Sequence, residues 1–563
     1  MRWQSRVTPD RAVLVGLFLT AAVYCRDLQY SFVLDDSPLI FTNENLASWR
    51  NWKILFRTHI FSPSGPSIPV SFPVKPYRPI YMLWLMINEQ LFGLIVPWWH
   101  LTSLLLHICA IYLAYQLGLK ILKDGWTAAL GALLFAFHPI HVESVAYVSA
   151  STDLLVTVFV LISFLSYCRF REPNASPAYL AVSLFTAGLA MLSKETAAML
   201  PFLLSAYEAL REIPPGRQRR WTRFIWVLPF FAIVAAYAVV RTVLFGNLGQ
   251  WPGFSRWAAL ADAPLVLLAY LRNLSWPRQL SFYYPVEWVS QWTLWKSFLL
   301  ALVMAIGAFL WKRYQAQPGI QLQFLWTAIL FVPAVTAVAV FAKEDWVHDR
   351  HMYLVSVPFC LILADGLASL KFPRNACLIV STLILALLFC ETTIQVPRFT
   401  DENTLYENAL RVAPRNEFAH RYYAFALWSN GDYEGAFREF RTTLQLAPGG
   451  PFIYGSYADA LAEAGHDEEA AREYAAALHW SPKSTPYRAF LLYRLATIET
   501  KHSQSAEGES HLREALQIAP QTRGYHAMLA QALRQQGRTQ EADQEMRLEM
   551  NLRNAAVHEA FDP

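Results

Sequence analysis

Charged residues are scarce in this chain: Asp, Glu, Lys and Arg make up 16% of its 563 residues, against 55% hydrophobic and 15% aromatic residues. That deficit excludes an ordinary water-soluble globular protein of this length. Cysteine is sparse too. The six cysteines (25, 109, 168, 360, 377 and 390) are scattered, several inside apolar runs, and no C-x-x-C pair occurs. A disulfide framework or a cysteine-type zinc site has no support in that spacing. The first apolar run, Ala12 to Cys25, lacks a clear small-x-small cleavage site, so it reads as an uncleaved anchor rather than a removed signal peptide.

What is present changes character near residue 400. Before it, apolar segments recur near 12–25, 97–119, 126–148, 153–168, 178–193, 196–210, 224–245, 294–311, 323–342, 351–370 and 375–396. Segments of this kind approach the length needed to cross a hydrocarbon core about 30 Å thick. The first 400 residues hold 31 Lys+Arg against 20 Asp+Glu, and the remainder 16 against 23. Arg2, Arg6 and Arg11 precede the first run, and alternate connections carry Lys120 and Lys123, Arg169 and Arg171, Arg211 with Arg217, Arg219, Arg220 and Arg223, Lys312 and Arg313, and Lys371 and Arg374. Because cytoplasmic connections collect Lys and Arg, this alternation predicts eleven spans with a cytoplasmic N-terminus and an external C-terminus. Residues 77–94 and 264–285 contain Arg78, Asn88, Glu89, Arg272, Asn273 and Arg278, and are expected to be interfacial or re-entrant rather than spanning. If either crossed, the C-terminal part would move to the cytoplasm.

After residue 400 the punctuation is periodic. Ala424, Gly431, Ala436, Phe440 and Pro448 recur 34 residues later as Ala458, Gly465, Ala470, Tyr474 and Pro482. Small residues at fixed offsets let two helices approach and Pro ends the second, which is the tetratricopeptide pattern. The next Pro, Pro520, comes 38 residues on and implies an insertion, and Ala530, Gly537 and Ala542 mark a fourth unit. A domain of residues 1–400 in the membrane and a repeat domain of residues 401–563 are therefore expected. Stacked helix pairs offer a concave surface for an extended protein or peptide; a purely structural arm is the other reading.

In the expected orientation the unusual polar residues gather at the external face: Asp35 and Asp36; His138, His141 and Glu143; Asp153; Lys194 and Glu195; Glu344, Asp345, Asp349, Arg350 and His351. Ionisable groups at membrane depth are costly and so point to function. Each has a plainer reading. Adjacent aspartates cap turns, two histidines flanking a proline hydrogen-bond more often than they bind metal, Lys194 and Glu195 could be an interfacial ion pair, and Arg78 and Arg350 could reach lipid head groups.

Six stretches carry a resemblance: F-V-L-D-D-S-P-L-I-F-T-N (32–43), Y-R-P-I-Y (77–81), W-H-L-T-S-L-L-L-H (99–107), F-H-P-I-H-V-E-S-V-A-Y-V-S-A-S-T-D-L-L (137–155), L-A-M-L-S-K-E-T (189–196) and D-R-H-M-Y-L-V-S (349–356). In this order, and followed by the repeats, they resemble the transmembrane and tetratricopeptide-containing protein O-mannosyltransferases of the C-type glycosyltransferase superfamily. The departures are Ser151-Thr152, where a glycine-arginine pair is expected, and an irregular Asp349-Arg350-His351-Met352. The resemblance implies an all-α fold, a polytopic membrane helix bundle of about eleven spans followed by a tetratricopeptide α-solenoid. It implies an inverting hexosyltransferase that moves a sugar, mannose by the resemblance, from a polyprenyl phosphate co-substrate to protein hydroxyls at the non-cytoplasmic face. In a bacterium that is the outer face of the inner membrane.

The same resemblance makes Asp35 the general base, with Asp36 sharing its work or orienting the acceptor. Arg350, Lys194 and Arg78 would neutralise the donor phosphate, with His138, His141, Glu143, Asp153 and Glu195 in support. No metal or other cofactor is required, a divalent metal being the alternative use of the histidines, and no nucleic acid partner is expected. Two competing readings are transfer to a lipid or cell-surface glycan and a noncatalytic membrane-anchored scaffold. A transporter would instead place broken helices near the bilayer midplane.

The topology is open to a direct test. Cysteines replacing Arg50 and Asn430, in a chain stripped of its native cysteines, should both react with an impermeant reagent from the external side. Labelling at 50 without labelling at 430 would contradict the eleven-span arrangement.

Overall fold

A computed structural model describes residues 8–62, 75–122, 124–211, 222–246, 255–285, 292–315, 317–339, 346–370 and 373–561. Lys123, Arg217, Arg219, Arg220, Glu344, Asp345 and Lys371 lie outside the described residues. The described residues are helical and contain no strand. They form two compact units that part between Val412 and Ala413, so the helix Glu402–Val412 belongs with the first.

Among the described residues of the first unit, eight helices are long and apolar enough to cross a membrane: Pro9–Gln29, Val96–Leu122, Val148–Phe170, Leu228–Phe245, Leu294–Arg313, Pro318–Ala339, Asp349–Ala368 and Asn375–Phe399. A ninth crossing is a broken one, Gly125–Ala136 followed by Pro139–Ala146 with a bend of 49°. The break falls at Pro139, whose missing N–H and ring cannot continue the preceding helix. The remaining two expected segments are shorter helices: Ala178–Ser193 has 16 residues and Leu200–Leu210 has 11. Residues 77–94 and 264–285 contain the helices Pro79–Phe92 and Ala263–Ser275, of 14 and 13 residues. All four are shorter than a straight crossing requires, so among the described residues eight or nine of the eleven expected spans are long enough to cross.

Val148–Phe170 is the centre of this unit, with 83% of its apolar window buried, whereas Leu294–Arg313 and Asn375–Phe399 bury 6% each. Those outer helices turn Leu294, Phe298, Phe309 and Leu387 outward, 90%, 70%, 68% and 70% exposed. Apolar surface of that extent is compatible with lipid and not with water. The chain is an integral membrane protein. Close packing inside the bundle depends on small residues. A Cβ on Gly319 would stand 2.6 Å from the backbone oxygen of Ile121, so no other residue fits without moving a helix.

The second unit is a run of helix pairs: Glu417–Ser429 with Tyr433–Leu446, Pro451–Glu463 with Asp467–Trp480, Pro486–Lys501 with Ser505–Ile518, and Tyr525–Gln535 with Thr539–Phe561. The periodic Ala424, Ala436, Phe440, Ala458, Ala470, Tyr474, Ala530 and Ala542 are fully buried between helices. The extra residues of the third pair lie before its turn, where Pro486–Lys501 has 16 residues against 13 in Pro451–Glu463.

Gly431, Gly465 and Gly537 make the turn within their pairs at φ 80°, 86° and 80°, but the third pair places Ser503 there at φ 64°. A side chain in the left-handed region costs on the order of 1 kcal/mol. Ser503→Gly should therefore stabilise the repeat unit by about 0.5–1 kcal/mol, seen as greater resistance of that unit to heat or protease. Destabilisation would show that the Ser503 side chain holds the turn.

Candidate active site

The two adjacent aspartates occupy different environments. Asp36 is fully buried. Its Oδ2 accepts the Val33 N–H at 3.0 Å, and its Oδ1 accepts the backbone N–H and hydroxyl of Ser149 at 2.8 and 2.5 Å. Burial pushes this carboxyl up to about 7, against the pull of those three hydrogen bonds toward the carboxylate. Asp36 is thus a clamp between the loop after the first span and the segment leading into Val148–Phe170. Asp35, one residue before it, is exposed. Its N–H donates to the Tyr147 hydroxyl at 3.2 Å.

Both aspartates follow a left-handed residue, Leu34, which has φ 56°. A bulky residue in that region is strained and persists only where its surroundings hold it. Here the Leu34 N–H donates to Glu402 Oε1 at 3.0 Å, and Ser31 N–H donates to the Thr400 carbonyl at 2.9 Å.

Three ion pairs stand at the same end of the bundle. Lys194 Nζ meets both oxygens of Asp153 at 2.6 Å. Arg78 directs Nε and Nη2 to Glu195 Oε2 at 3.0 and 2.8 Å. Arg350 Nη1 lies 2.5 Å from Glu143 Oε1, whose other oxygen accepts the Arg350 N–H at 3.3 Å. The neighbours Lys194 and Glu195 reach different partners because the helix Ala178–Ser193 ends there and Lys194 is extended, at φ −159° and ψ 143°.

The pairs sense one another. The Lys194 ammonium is pushed below its ordinary range by burial, with Asp153 opposing and the like charges of Arg78 and Arg350 adding to the shift. For Arg78, burial opposes ionisation, but Glu195 more than offsets it and the guanidinium is held above its usual range. Tyr147 joins this group to the aspartate loop, for it lies within electrostatic reach of Asp35, Asp36 and Arg350. The Arg350 guanidinium stacks 5.9 Å from the ring of Tyr147 and 5.6 Å from that of Phe282.

The D-R-H stretch also fans out. Asp349 is buried and accepts from Asn273 Nδ2 at 2.8 Å and from the Tyr284 hydroxyl at 2.8 and 2.7 Å. His351 Nδ1 lies 2.9 Å from the Tyr270 hydroxyl. The interfacial stretch 264–285 thus supplies Tyr270, Asn273 and Tyr284, none of which was a candidate site residue. The one available signal was that this stretch is too polar to span yet rich in aromatics.

His138 and His141 are occupied as hydrogen-bonding groups. His138 Nε2 lies 3.0 Å from the Leu274 carbonyl and its Nδ1 accepts the Ile140 N–H at 3.2 Å, so its proton is on Nε2. His141 Nε2 lies 2.8 Å from Ser356 Oγ, which itself donates to the Tyr353 carbonyl at 2.7 Å. Among the described residues no group of three or more His, Cys, Asp or Glu side chains is arranged to hold a metal. The exposed Asp35 thus lies near three ion pairs, of which Lys194–Asp153 is buried and the other two are half-buried.

Residues 75–245 match the family described as dolichyl-phosphate-mannose-protein mannosyltransferase, and residues 427–491 match the tetratricopeptide repeat. The human protein O-mannosyl-transferase TMTC1 is 26% identical over 490 residues, covering 77% of this chain and 54% of that protein. Human TMTC4 is 26% identical over 492 residues, covering 77% of this chain and 66% of that protein. Human TMTC2 is 33% identical over 204 residues, covering 35% of this chain and 24% of that protein. The chain is similar to the first two of these protein O-mannosyl-transferases over about three quarters of its length. It spans about half to two thirds of the length of those two relatives. The mannosyltransferase match falls in the membrane unit and the tetratricopeptide match in the repeat unit.

The Lys194–Asp153 pair is open to test as a buried pair. Lys194→Met leaves Asp153 uncompensated and should destabilise the membrane unit by about 3–5 kcal/mol, while adding Asp153→Leu should restore most of that loss. Thermal unfolding in detergent reads both. Unchanged stability of Lys194→Met would mean that water reaches the pair.

Proposed function

We propose that this protein is a membrane glycosyltransferase that moves a sugar from a polyprenyl phosphate to a hydroxyl of a protein acceptor at the non-cytoplasmic surface. Mannose is the sugar favoured by the names of its relatives. The observation that carries the reading is the exposed Asp35 on a strained, clamped turn, joined through Tyr147 to Arg350.

In this reading the Asp35 carboxylate takes the proton of the acceptor hydroxyl. The freed oxygen forms a bond to the anomeric carbon as the bond from that carbon to the phosphate oxygen breaks. The bonding pair leaves with the polyprenyl phosphate, and a single displacement inverts the anomeric centre. Asp36, already engaged on both oxygens, serves by fixing the loop rather than by meeting the substrate. Arg350, Lys194 and Arg78 supply the positive field for the departing phosphate. Arg78 commits Nε and Nη2 to one oxygen of Glu195, and its guanidinium can donate from Nη1 to a phosphate oxygen while keeping that carboxylate.

Asp153, Glu195 and Glu143 hold those cations in place and lower the net charge of the site. His138 and His141 stiffen the bend that carries Glu143. The repeat unit recruits the protein acceptor, a reading supported by the charge alternation that predicts an external C-terminus.

Asp35→Asn keeps the volume of the side chain but cannot take the proton, so turnover should fall about 10²- to 10⁴-fold with donor affinity retained. Arg350→Ala should show the reverse emphasis, weakening the donor complex because the phosphate loses a charge-assisted partner. Donor affinity and turnover measured separately on folded, purified variants decide the matter. Near-normal turnover of Asp35→Asn would remove Asp35 from the mechanism.

A further inference from the structure

The turn that presents Asp35 is held from the far end of the unit. Leu34 sits at φ 56°, and its N–H is directed at Glu402 Oε1, 3.0 Å away and 368 residues distant in sequence. Glu402 opens the helix Glu402–Val412, but it does not cap that helix. Asp401 does so, its Oδ1 accepting the Thr404 N–H at 2.8 Å and its Oδ2 the Thr404 hydroxyl at 3.2 Å. Among the described residues Glu402 is in no ion pair, and its one hydrogen bond is the bond to Leu34. A carboxylate that is neither a cap nor half of an ion pair, spent on one strained N–H beside the proposed base, has the placement of a device for that turn.

We propose that Glu402 is a positioning residue for Asp35, holding the left-handed turn at Leu34 from which the exposed carboxylate is carried. The inference rests on the assignment of Asp35 as the base. The bond from Glu402 is charge-assisted and therefore short-ranged and directional. The neighbouring contacts, Asp35 N–H to Tyr147, Val33 N–H to Asp36 and Ser31 N–H to Thr400, fix the loop on either side but leave the Leu34 N–H to Glu402. Without that acceptor Leu34 can relax toward negative φ, which swings the next residue. A displacement near 1 Å of a reacting group is enough to cost roughly 10²-fold in rate.

The test is a double-mutant cycle on the full-length protein, reading kcat and donor KM. Glu402→Ala should lower kcat by about ten- to a hundredfold with donor KM changed less than about threefold. Glu402→Gln, which keeps an acceptor oxygen at the same reach, should restore kcat to within about threefold of the parent. In an Asp35→Asn background Glu402→Ala should lower the residual rate by less than about twofold, because the group it positions is already disabled. If Glu402→Ala does not accumulate folded protein, Glu402→Asp, one methylene short of Leu34, takes its place in every arm with the same expectation.

Normal kcat in Glu402→Ala would overturn the inference. So would an equal proportional loss with and without Asp35, which would make Glu402 a structural residue. The two readings fail separately. Asp35→Asn inactive with Glu402→Ala normal sinks only the positioning role, whereas Asp35→Asn of normal turnover sinks the base and the positioning role with it.

Discussion

Removing a charge from water costs several kcal/mol unless a partner is supplied. Arg78, Lys194 and Arg350 meet that demand with Glu195, Asp153 and Glu143, each pair joining distant stretches of chain. The polar end of the membrane unit is assembled by these bonds, because an apolar bundle without them has little to specify how its ends meet. In the proposed reaction the same pairs keep the cations neutralised until an anionic donor binds. Asp35 stands outside this layer, exposed, where a carboxylate can meet a second substrate.

Parts of this arrangement were legible from residues alone, for identifiable reasons. Helix pairs of the second unit repeat a small-residue code, so the 34-residue spacing by itself places Ala424, Ala458 and Ala530 between helices, where they are buried. The third pair escaped in detail because Ser503 stands where its counterparts have glycine, and a serine does not announce a positive φ. Long apolar windows marked the spans, but the bend after Ala136 in the 126–148 segment was not read from them.

Partnership was not legible. Glu143 and Arg350 are 207 residues apart, and Leu34 and Glu402 are 368 apart, so only the fold brings them together. Composition could nominate Asp35 and Asp36 together, but it could not tell the exposed carboxylate from the buried clamp. That distinction comes from the fold, which buries Asp36 against Val33 and Ser149. Tyr147, Tyr284 and Asn273 were not candidate site residues for a related reason. Tyrosine and asparagine are ordinary at a membrane interface, and their roles appear only through what they touch.

The central claim is a reaction, so the most direct measurement is of that reaction. Purified full-length protein, given a polyprenyl phosphate carrying labelled mannose and a hydroxyl-bearing protein acceptor, should release polyprenyl phosphate and leave mannose covalently on acceptor serine or threonine. Intact donor and unmodified acceptor, across candidate sugars and with folded protein verified, would contradict the account and leave the membrane unit as an anchor for the repeats.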